Sequence, residues 1–234
     1  MQQRQKRTAL VLSGGGARGS YQVGALKAIA HIQPDGGMNP FDIICGTSAG
    51  ALNASMLACE SDHYGHAVKR LETLWQNLQS DQIHKVGYTQ LLKSTLRLFF
   101  SFFRNGIASG AASALLDNEP LRKLLSTEVD FDKLDEHINN GRLRALCITA
   151  LAYNSGHNIS FFQGDPSIKG WRRNQRLGVG TRLTHDHLMA SSALPTIFSP
   201  VKIDHEYFGD GAIRQRAPLS AALHLGAEKL FVVG

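Results

Sequence analysis

The sequence is poor in cysteine, has no long apolar run and has no concentrated block of charge. Its three cysteines, Cys45, Cys59 and Cys147, are an odd number, and each falls in an apolar stretch. This predicts reduced core residues and neither disulfides nor a metal site. No apolar run reaches the roughly 20 residues of a membrane-spanning helix, and the apolar run over residues 9–12 is too short for a signal peptide. We therefore expect a cytoplasmic protein.

The net charge is +6 over 234 residues, yet no five like charges are consecutive. This argues against a nucleic-acid-binding arm and leaves attraction to an anionic membrane surface open. The content of 43% hydrophobic and 19% charged residues is typical of a globular protein. We expect residues 8–234 to form one domain, which could continue past Gly234 in a longer chain, and residues 1–7 to be a basic leader.

A serine motif lies between a predicted strand and a predicted helix. The apolar run Phe41–Cys45 predicts a buried strand, and the segment Ala49–Cys59 predicts a helix. Ser48 lies between them in the pattern G-x-S-x-G. A serine at such a sharp turn projects from the sheet edge, and its crowded neighbours must be small. Ser48 is therefore a candidate nucleophile, and the other residues of this elbow are Gly46, Thr47, Ala49 and Gly50.

A glycine-rich loop follows the first predicted strand, Thr8–Ser13, and precedes a predicted helix over Ser20–His31. It consists of Gly14, Gly15, Gly16, Ala17, Arg18 and Gly19. Glycines let backbone N–H groups approach an anion closely because no Cβ is in the way. The anion could be the pyrophosphate of a dinucleotide, since the loop fits G-x-G-x-x-G. It could equally be the oxyanion that forms when an ester carbonyl is attacked.

The dinucleotide alternative requires an acidic residue at the end of the second strand. Asp42 is at a suitable distance along the chain, but it stands at the start of that strand. The far end carries the serine elbow. Because loops at the carboxyl ends of parallel strands converge on one crevice, an oxyanion loop beside Ser48 is the favoured interpretation.

The remaining patterns predict further helices and strands. Helices are predicted over 66–78, 121–138, 184–194 and 218–225, strands over 142–153, 157–162 and 229–233, two short strands over 201–208, and a polar loop over 164–181. Asp210 lies between glycines after an apolar strand, and its spacing alone predicts a turn residue. Residues 91–116 are rich in Leu and Phe with interspersed basic residues. They predict either a core helix followed by a loop or a mobile flap that meets lipid.

Three motifs in this order resemble the patatin-like phospholipase family. They are the glycine loop, the serine elbow and the aspartate motif that Asp210 forms with Gly211 and Ala212. The segment Ala190–Val201 also resembles the family's sequence ahead of that aspartate. The resemblance extends from about Thr8 to Val233. It implies a three-layer α/β/α fold with a mostly parallel central sheet and a Ser48–Asp210 dyad without a histidine.

The resemblance also implies a reaction, which is that of a phospholipase A or lysophospholipase-type serine esterase. Asp210 would be the general base for Ser48, and the amides of the glycine loop would form the oxyanion hole. The substrate would be a phospholipid or another acyl-ester lipid, met by peripheral membrane contact and without a metal or cofactor. The competing enzyme hypothesis is a Ser-His-Asp α/β-hydrolase. Only His224 follows Asp210, in a predicted helix that is a poor place for a base.

Overall fold

The computed structural model describes residues 6–33, 37–79, 118–195, 198–215 and 217–234. Most of the predicted basic leader lies outside these ranges, and so do residues 91–116, which were predicted to form either a core helix followed by a loop or a mobile flap. The described strands are β1 (Thr8–Leu12), β2 (Ile43–Thr47), β3 (Ala145–Ala152), β4 (Asn158–Gly164), β5 (Trp171–Arg173), β6 (Arg176–Gly180), β7 (Val201–Ile203), β8 (Glu206–Asp210) and β9 (Lys229–Val233). The described helices are α1 (Gly19–Ile32), α2 (Ala49–Cys59), α3 (Tyr64–Gln79), α4 (Glu119–Glu128), α5 (Lys133–Asn139), α6 (His185–Ser192) and α7 (Leu219–His224).

The strands form one sheet in the order β5-β6-β4-β3-β2-β1-β9, and β8 pairs with both β3 and β7. The four strands β3, β2, β1 and β9 run parallel, while β4 runs antiparallel to β3. The strands β1, β2 and β3 are almost continuously apolar and buried, which is expected when both faces of a sheet are covered, whereas β9 at the edge of the sheet is largely exposed.

Helices cover both faces of the sheet. Alternate residues of a strand point to opposite faces, so β1, β2 and β3 each contribute side chains to both of the resulting cores. Leu10 and Leu12 of β1 pack in a core with helices α1 to α6. Ala9 and Val11 point to the other face, where they pack with Ala221 and its neighbours on α7. The fold is therefore the expected three-layer α/β/α arrangement, with parallel strands at the centre of the sheet.

The predicted helix over 121–138 is wrong in its length. The structure has two helices there, α4 and α5, separated by residues 129–132. Val129 adopts an extended conformation with ψ at 118° and ends α4. Both Val129 and Phe131 are buried, so the break turns apolar side chains into the core.

The predicted polar loop over 164–181 contains two strands, which the sequence prediction missed. β6 pairs with β4, and β5 closes a hairpin on β6. The indole of Trp171 stacks on Phe162 with ring centroids 5.3 Å apart. Gly178 of β6 leaves room for that indole, because a Cβ there would clash with its ring. Backbone pairing with β4 and this aromatic contact thus hold a mostly polar segment in the sheet.

Within the described ranges, no helix is both long and apolar enough to cross a membrane.

Candidate active site

Two strands share one edge of β3, and this arrangement brings Ser48 and Asp210 together. β4 occupies the other edge of β3 along its length. On the shared edge, β2 pairs up to Thr149, where its last residue Thr47 lies. The next residue, Ala150, pairs instead with Asp210 at the end of β8. Ser48 follows Thr47 directly, so it leaves the sheet beside Asp210.

Ser48 has the backbone conformation of a tight elbow. Its φ of 55° and ψ of −126° lie in a region that residues with a side chain rarely adopt. The flanking glycines allow the close approach of other backbone. A Cβ on Gly50 would lie 2.6 Å from the carbonyl oxygen of Ser13, and one on Gly46 would lie 2.6 Å from Cα of Ala51. The strand and the helix predicted on either side of Ser48 are both present.

The side chains of Ser48 and Asp210 form a buried hydrogen bond. Oγ of Ser48 donates to Oδ2 of Asp210 at 2.7 Å, and both residues have no exposed surface. The other oxygen, Oδ1, accepts a bond of 2.7 Å from the amide of Ala212. Asp210 therefore caps the turn Gly211–Ile213, as its spacing predicted, but it also ends β8 and directs its carboxylate at Ser48.

Burial raises the pKa of Asp210 to about 6, although the hydrogen bonds from Ser48 and Ala212 act in the opposite direction. Loss of water disfavours the charged form of a carboxyl group, and two donated bonds recover only part of that cost. In the part of the chain that the structure describes, no histidine is hydrogen-bonded to either Ser48 or Asp210. The pair therefore differs from a Ser-His-Asp triad in its geometry.

A second serine, Ser191, fixes the elbow and was missed by the sequence analysis. The amide of Ser48 donates to Oγ of Ser191 at 2.9 Å, and this hydroxyl donates to the carbonyl of Thr149 at 2.7 Å. Ser191 lies on α6 and is fully buried. It falls in the segment Ala190–Val201 whose family resemblance was noted. That resemblance was the signal that could have identified it.

The glycine loop meets both other motifs at this edge. A Cβ on Gly14 would lie 2.5 Å from Cβ of Ala212 and 3.4 Å from Cβ of Ser48. Gly211 is equally confined, because a Cβ there would clash with the carbonyl of Thr149. The three motifs singled out in the sequence thus come into contact around Ser48.

The amides of the glycine loop differ in their hydrogen bonding. Residues Gly16–Arg18 form a short 3-10 turn, in which Arg18 donates its amide to Gly15 O at 3.1 Å. The amide of Gly19 bonds within the same turn. By contrast, the amides of residues 14–17 have no acceptor among the described residues. Gly16 has a φ of 55°, a conformation that favours glycine. Among the described residues, the amides of Arg18 and Gly19 are thus hydrogen-bonded within the turn, whereas those of residues 14–17 are not.

The two alternative site residues lie elsewhere. Oδ2 of Asp42 accepts a bond of 2.7 Å from the amide of Thr8. Thr8 is the first residue of β1, whereas the glycine loop follows the other end of that strand. His224 lies on α7, which covers the face of the sheet opposite α2. Its ring stacks on Trp171 with centroids 4.9 Å apart. The fold brings neither residue to Ser48. Within the described ranges, no group of three His, Cys, Asp or Glu residues could hold a metal ion.

The chain is similar to proteins that act on lipids. A family model described as patatin-like phospholipase matches residues 10–223. The cGAMP-activated phospholipase of Vibrio cholerae serotype O1 is 30% identical over 226 residues, which are 92% of this chain and 56% of that protein. Lysophospholipase nte1 of Aspergillus terreus is 42% identical over 86 residues, which are 34% of this chain and 5% of that protein.

Among solved structures, VipD from Legionella pneumophila is similar with a TM-score of 0.44 and 18% identity. That match covers 90% of this chain and 46% of the VipD chain. The chain thus spans about half the length of relatives that it matches along most of its own length.

Proposed function

The chain belongs to the patatin-like phospholipase family, and from that premise we propose that it is a lipid acyl hydrolase with Ser48 as nucleophile and Asp210 as general base. The observation that carries the proposal is the buried hydrogen bond of 2.7 Å from Ser48 Oγ to Asp210 Oδ2. A nucleophile and its base must be within hydrogen-bond distance for the proton to move as the new bond forms.

The reaction proceeds in two halves. Ser48 Oγ attacks the acyl carbonyl carbon while its proton passes to Asp210, and the tetrahedral intermediate expels the alcohol, which takes that proton. Water then attacks the acyl-enzyme and gives its proton to Asp210. The fatty acid leaves, and Ser48 Oγ regains a proton from Asp210. The pKa of about 6 suits this role, because the carboxylate is ionised at neutral pH and binds a proton more tightly than an exposed one.

The amides of the glycine loop stabilise the oxyanion in this proposal. Gly15 and Gly16 are the main donors, and Gly14 and Ala17 also have amides without an acceptor in the described ranges. Arg18 was an expected donor, but its amide already bonds to Gly15. Removing one donor of this kind commonly costs about 2.7–4 kcal/mol of transition-state stabilisation. The chemistry requires no metal or organic cofactor.

The dyad is tested by Ser48→Ala and Asp210→Asn, with Ser192→Ala as a matched control. Ser192 is a buried serine on the same side of the sheet. Hydrolysis of a phospholipid and of a short-chain p-nitrophenyl ester is measured, and folding is checked by circular dichroism. We expect both dyad variants to lose at least a thousandfold in kcat, on the order of the loss seen when a nucleophile or base is removed, with the control unchanged. Full activity in folded Ser48→Ala refutes the mechanism.

A phospholipid or other acyl-ester lipid is the proposed substrate, reached by peripheral contact with a membrane. Three arginines support this contact: Arg173, Arg176 and Arg214, named here the arginine rim. Arg176 is the first residue of β6 and pairs with Asn158, the first residue of β4. Asn158 in turn pairs with Leu151 near the end of β3, so Arg176 lies at the end of the sheet where β3 ends. Arg214 follows the aspartate motif, and its Nη1 donates to Gly156 O at 2.6 Å.

The charge of the arginine rim suits an anionic surface. All three side chains are exposed, and no ion pair joins them to a carboxylate of the described residues. The carboxylate of Glu206 accepts a hydrogen bond from the amide of Ser155 and forms no ion pair with the three arginines among the described residues. Ile213, which is 49% exposed, adds an apolar side chain beside Arg214. Basic residues flanking exposed apolar ones favour binding to anionic lipid interfaces.

Vesicle binding tests the arginine rim separately from catalysis. We expect the triple variant Arg173→Gln, Arg176→Gln and Arg214→Gln to bind phosphatidylglycerol vesicles at least tenfold more weakly, because each basic residue near such a surface contributes about 1 kcal/mol. A control variant changes Arg142 and Lys229 to Gln. Both lie at the opposite end of the sheet, where β3 and β9 begin. Equal binding by both variants would exclude the rim as the membrane contact.

A further inference from the structure

The glycine loop is held at both ends by buried side-chain amides. Nε2 of Gln22 donates to the carbonyl of Ser13, the residue before the loop, at 2.8 Å. Nδ2 of Asn53 donates to the carbonyl of Gly19, the last residue of the loop, at 3.0 Å. The loop therefore has a fixed point on each side of its free amides.

The two amides are joined to each other and to a tryptophan. Nδ2 of Asn53 also donates to Oε1 of Gln22 at 3.0 Å, and Oδ1 of Asn53 accepts from Nε1 of Trp75 at 2.8 Å. The three side chains are 2% (Gln22), 0% (Asn53) and 3% (Trp75) exposed. The network of Gln22, Asn53 and Trp75 is called the loop-anchoring network below.

The chemistry of the groups fixes the orientation of each amide. An indole N–H only donates, so Oδ1 of Asn53 must face Trp75 and Nδ2 must face the loop. Asn53 then uses both of its N–H groups, one on Gly19 and one on Gln22. Oε1 of Gln22 is thereby the acceptor, which leaves its Nε2 to bind the carbonyl of Ser13. A reversed amide anywhere in the network would place two donors or two acceptors against each other.

The network ties the loop to the helix that carries the nucleophile. Asn53 lies on α2, which begins one residue after Ser48, and no atom of Asn53 is exposed to substrate. Trp75 also packs against the loop, since a Cβ on Gly19 would clash with its ring. A fully bonded polar network in a low-dielectric interior is rigid. The free amides of residues 14–17 are consequently held at a constant position relative to Ser48.

We propose that Asn53 is a positioning residue for catalysis, which together with Gln22 and Trp75 holds the glycine loop as a preorganised oxyanion site. The inference rests on the proposed function of Ser48 and the loop. Donors that are fixed before the reaction stabilise developing charge without having to reorganise. A loop released at Gly19 keeps its amides but must order them in each transition state.

The main test is Asn53→Ala, with Ser55→Ala as its matched control. Ser55 lies on the same helix and is also fully buried, and its hydroxyl has no hydrogen-bond partner in the described structure. We expect Asn53→Ala to lower kcat by about tenfold to a hundredfold, a fraction of what the loss of a whole oxyanion donor causes. KM should stay within about threefold, since substrate binding precedes the charge, and the control should retain wild-type kinetics.

Two inhibitors separate a positioning role from general damage. A trifluoromethyl ketone with an acyl chain forms a tetrahedral oxyanion adduct with the serine, so its affinity should fall by the same factor as kcat/KM. A non-hydrolysable ether lipid forms no oxyanion, and its affinity should not change. Equal losses for both inhibitors, or unchanged kcat in folded Asn53→Ala, would overturn the inference.

A second variant covers the case in which Asn53→Ala does not fold. Trp75→Phe removes the indole N–H and keeps an aromatic ring against Gly19, and it should show the same pattern with a smaller loss of kcat. Wild-type kinetics and inhibitor affinities in Trp75→Phe would then count against the network. The activity of Ser48→Ala distinguishes the two proposals. If Ser48→Ala is inactive but both network variants are fully active, only the positioning role fails, whereas an active Ser48→Ala removes the proposed function itself.

Discussion

Replacement of Asp210 by Asn should make the folded protein more stable while it abolishes activity. Burial raises the pKa of Asp210 from its ordinary value of 3.8 to about 6, so the folded chain holds this proton more tightly than the unfolded chain. Since one pKa unit corresponds to about 1.4 kcal/mol, ionisation of Asp210 costs the native state about 3 kcal/mol. The tighter proton binding by Asp210 therefore stabilises the native state. This stabilisation is fully present below pH 3.8 and is lost as the pH rises through about 6.

The asparagine variant avoids this cost, because its amide is neutral at every pH. Its Oδ1 can accept the bond from Ala212, and its Nδ2 can donate to Ser48 Oγ. We therefore expect the free energy of unfolding of the variant, minus that of the wild type, to increase by about 2.5 kcal/mol between pH 4 and pH 8. Urea denaturation at pH 4, 5, 6, 7 and 8 measures this difference.

Asp165→Asn is the control with the opposite sign. Asp165 is half-buried, and hydrogen bonds from Ser167 lower the pKa of its carboxyl group. Its ionised form is thus the favoured one in the folded state, and the variant should gain no stability as the pH rises. If the stability difference for Asp210→Asn is independent of pH, or if the wild type is the more stable at pH 8, the argument from burial is refuted.

Three further predictions concern activity. Because Asp210 must be ionised to act as a base, kcat/KM should fall about tenfold per pH unit below pH 6; a pH profile that is flat down to pH 4.5 contradicts this role. Ser191→Ala leaves the buried amide of Ser48 without an acceptor, so it should cost about 1–3 kcal/mol of stability and lower kcat. Thermal unfolding and ester hydrolysis measure both effects, with Ser192→Ala as the control, and an unchanged melting temperature is evidence against the proposed bond. His224→Ala should keep most of the activity, whereas a hundredfold loss in the folded variant would support a histidine base.

The local structure around Ser48 was predictable because local chemistry dictates it. An apolar β-rich run followed by a glycine-flanked serine and a run of helix formers permits few alternatives to strand, elbow and helix. The observed strand and helix follow the predicted ones closely. Gly46 and Gly50 are required because backbone atoms of other residues lie too close for a Cβ. The sequence pattern predicted such crowding around Ser48 before the crowding residues were known.

The breaks and pairings that depend on distant side chains were not predictable. The helix over 121–138 divides at Val129 because the apolar residues there turn into a core that the sequence does not display. The segment over 164–181 looked polar, but Trp171 anchors it to Phe162 and its backbone joins the sheet. In both places tertiary packing outweighs local preference.

The sequence by itself determined the family, the three motifs and the elements that present them, because each motif is a few consecutive residues whose conformation is local. The spacing around Asp210 by itself indicated only an ordinary turn, and the role of general base was implied by the family resemblance alone. Only the tertiary structure decided that β8 continues the edge of β3 where β2 stops, and so places this carboxylate 2.7 Å from Ser48 across 162 residues of chain. The same holds for Ser191 and Asn53, whose polar atoms acquire a function only when the fold removes water and supplies their partners.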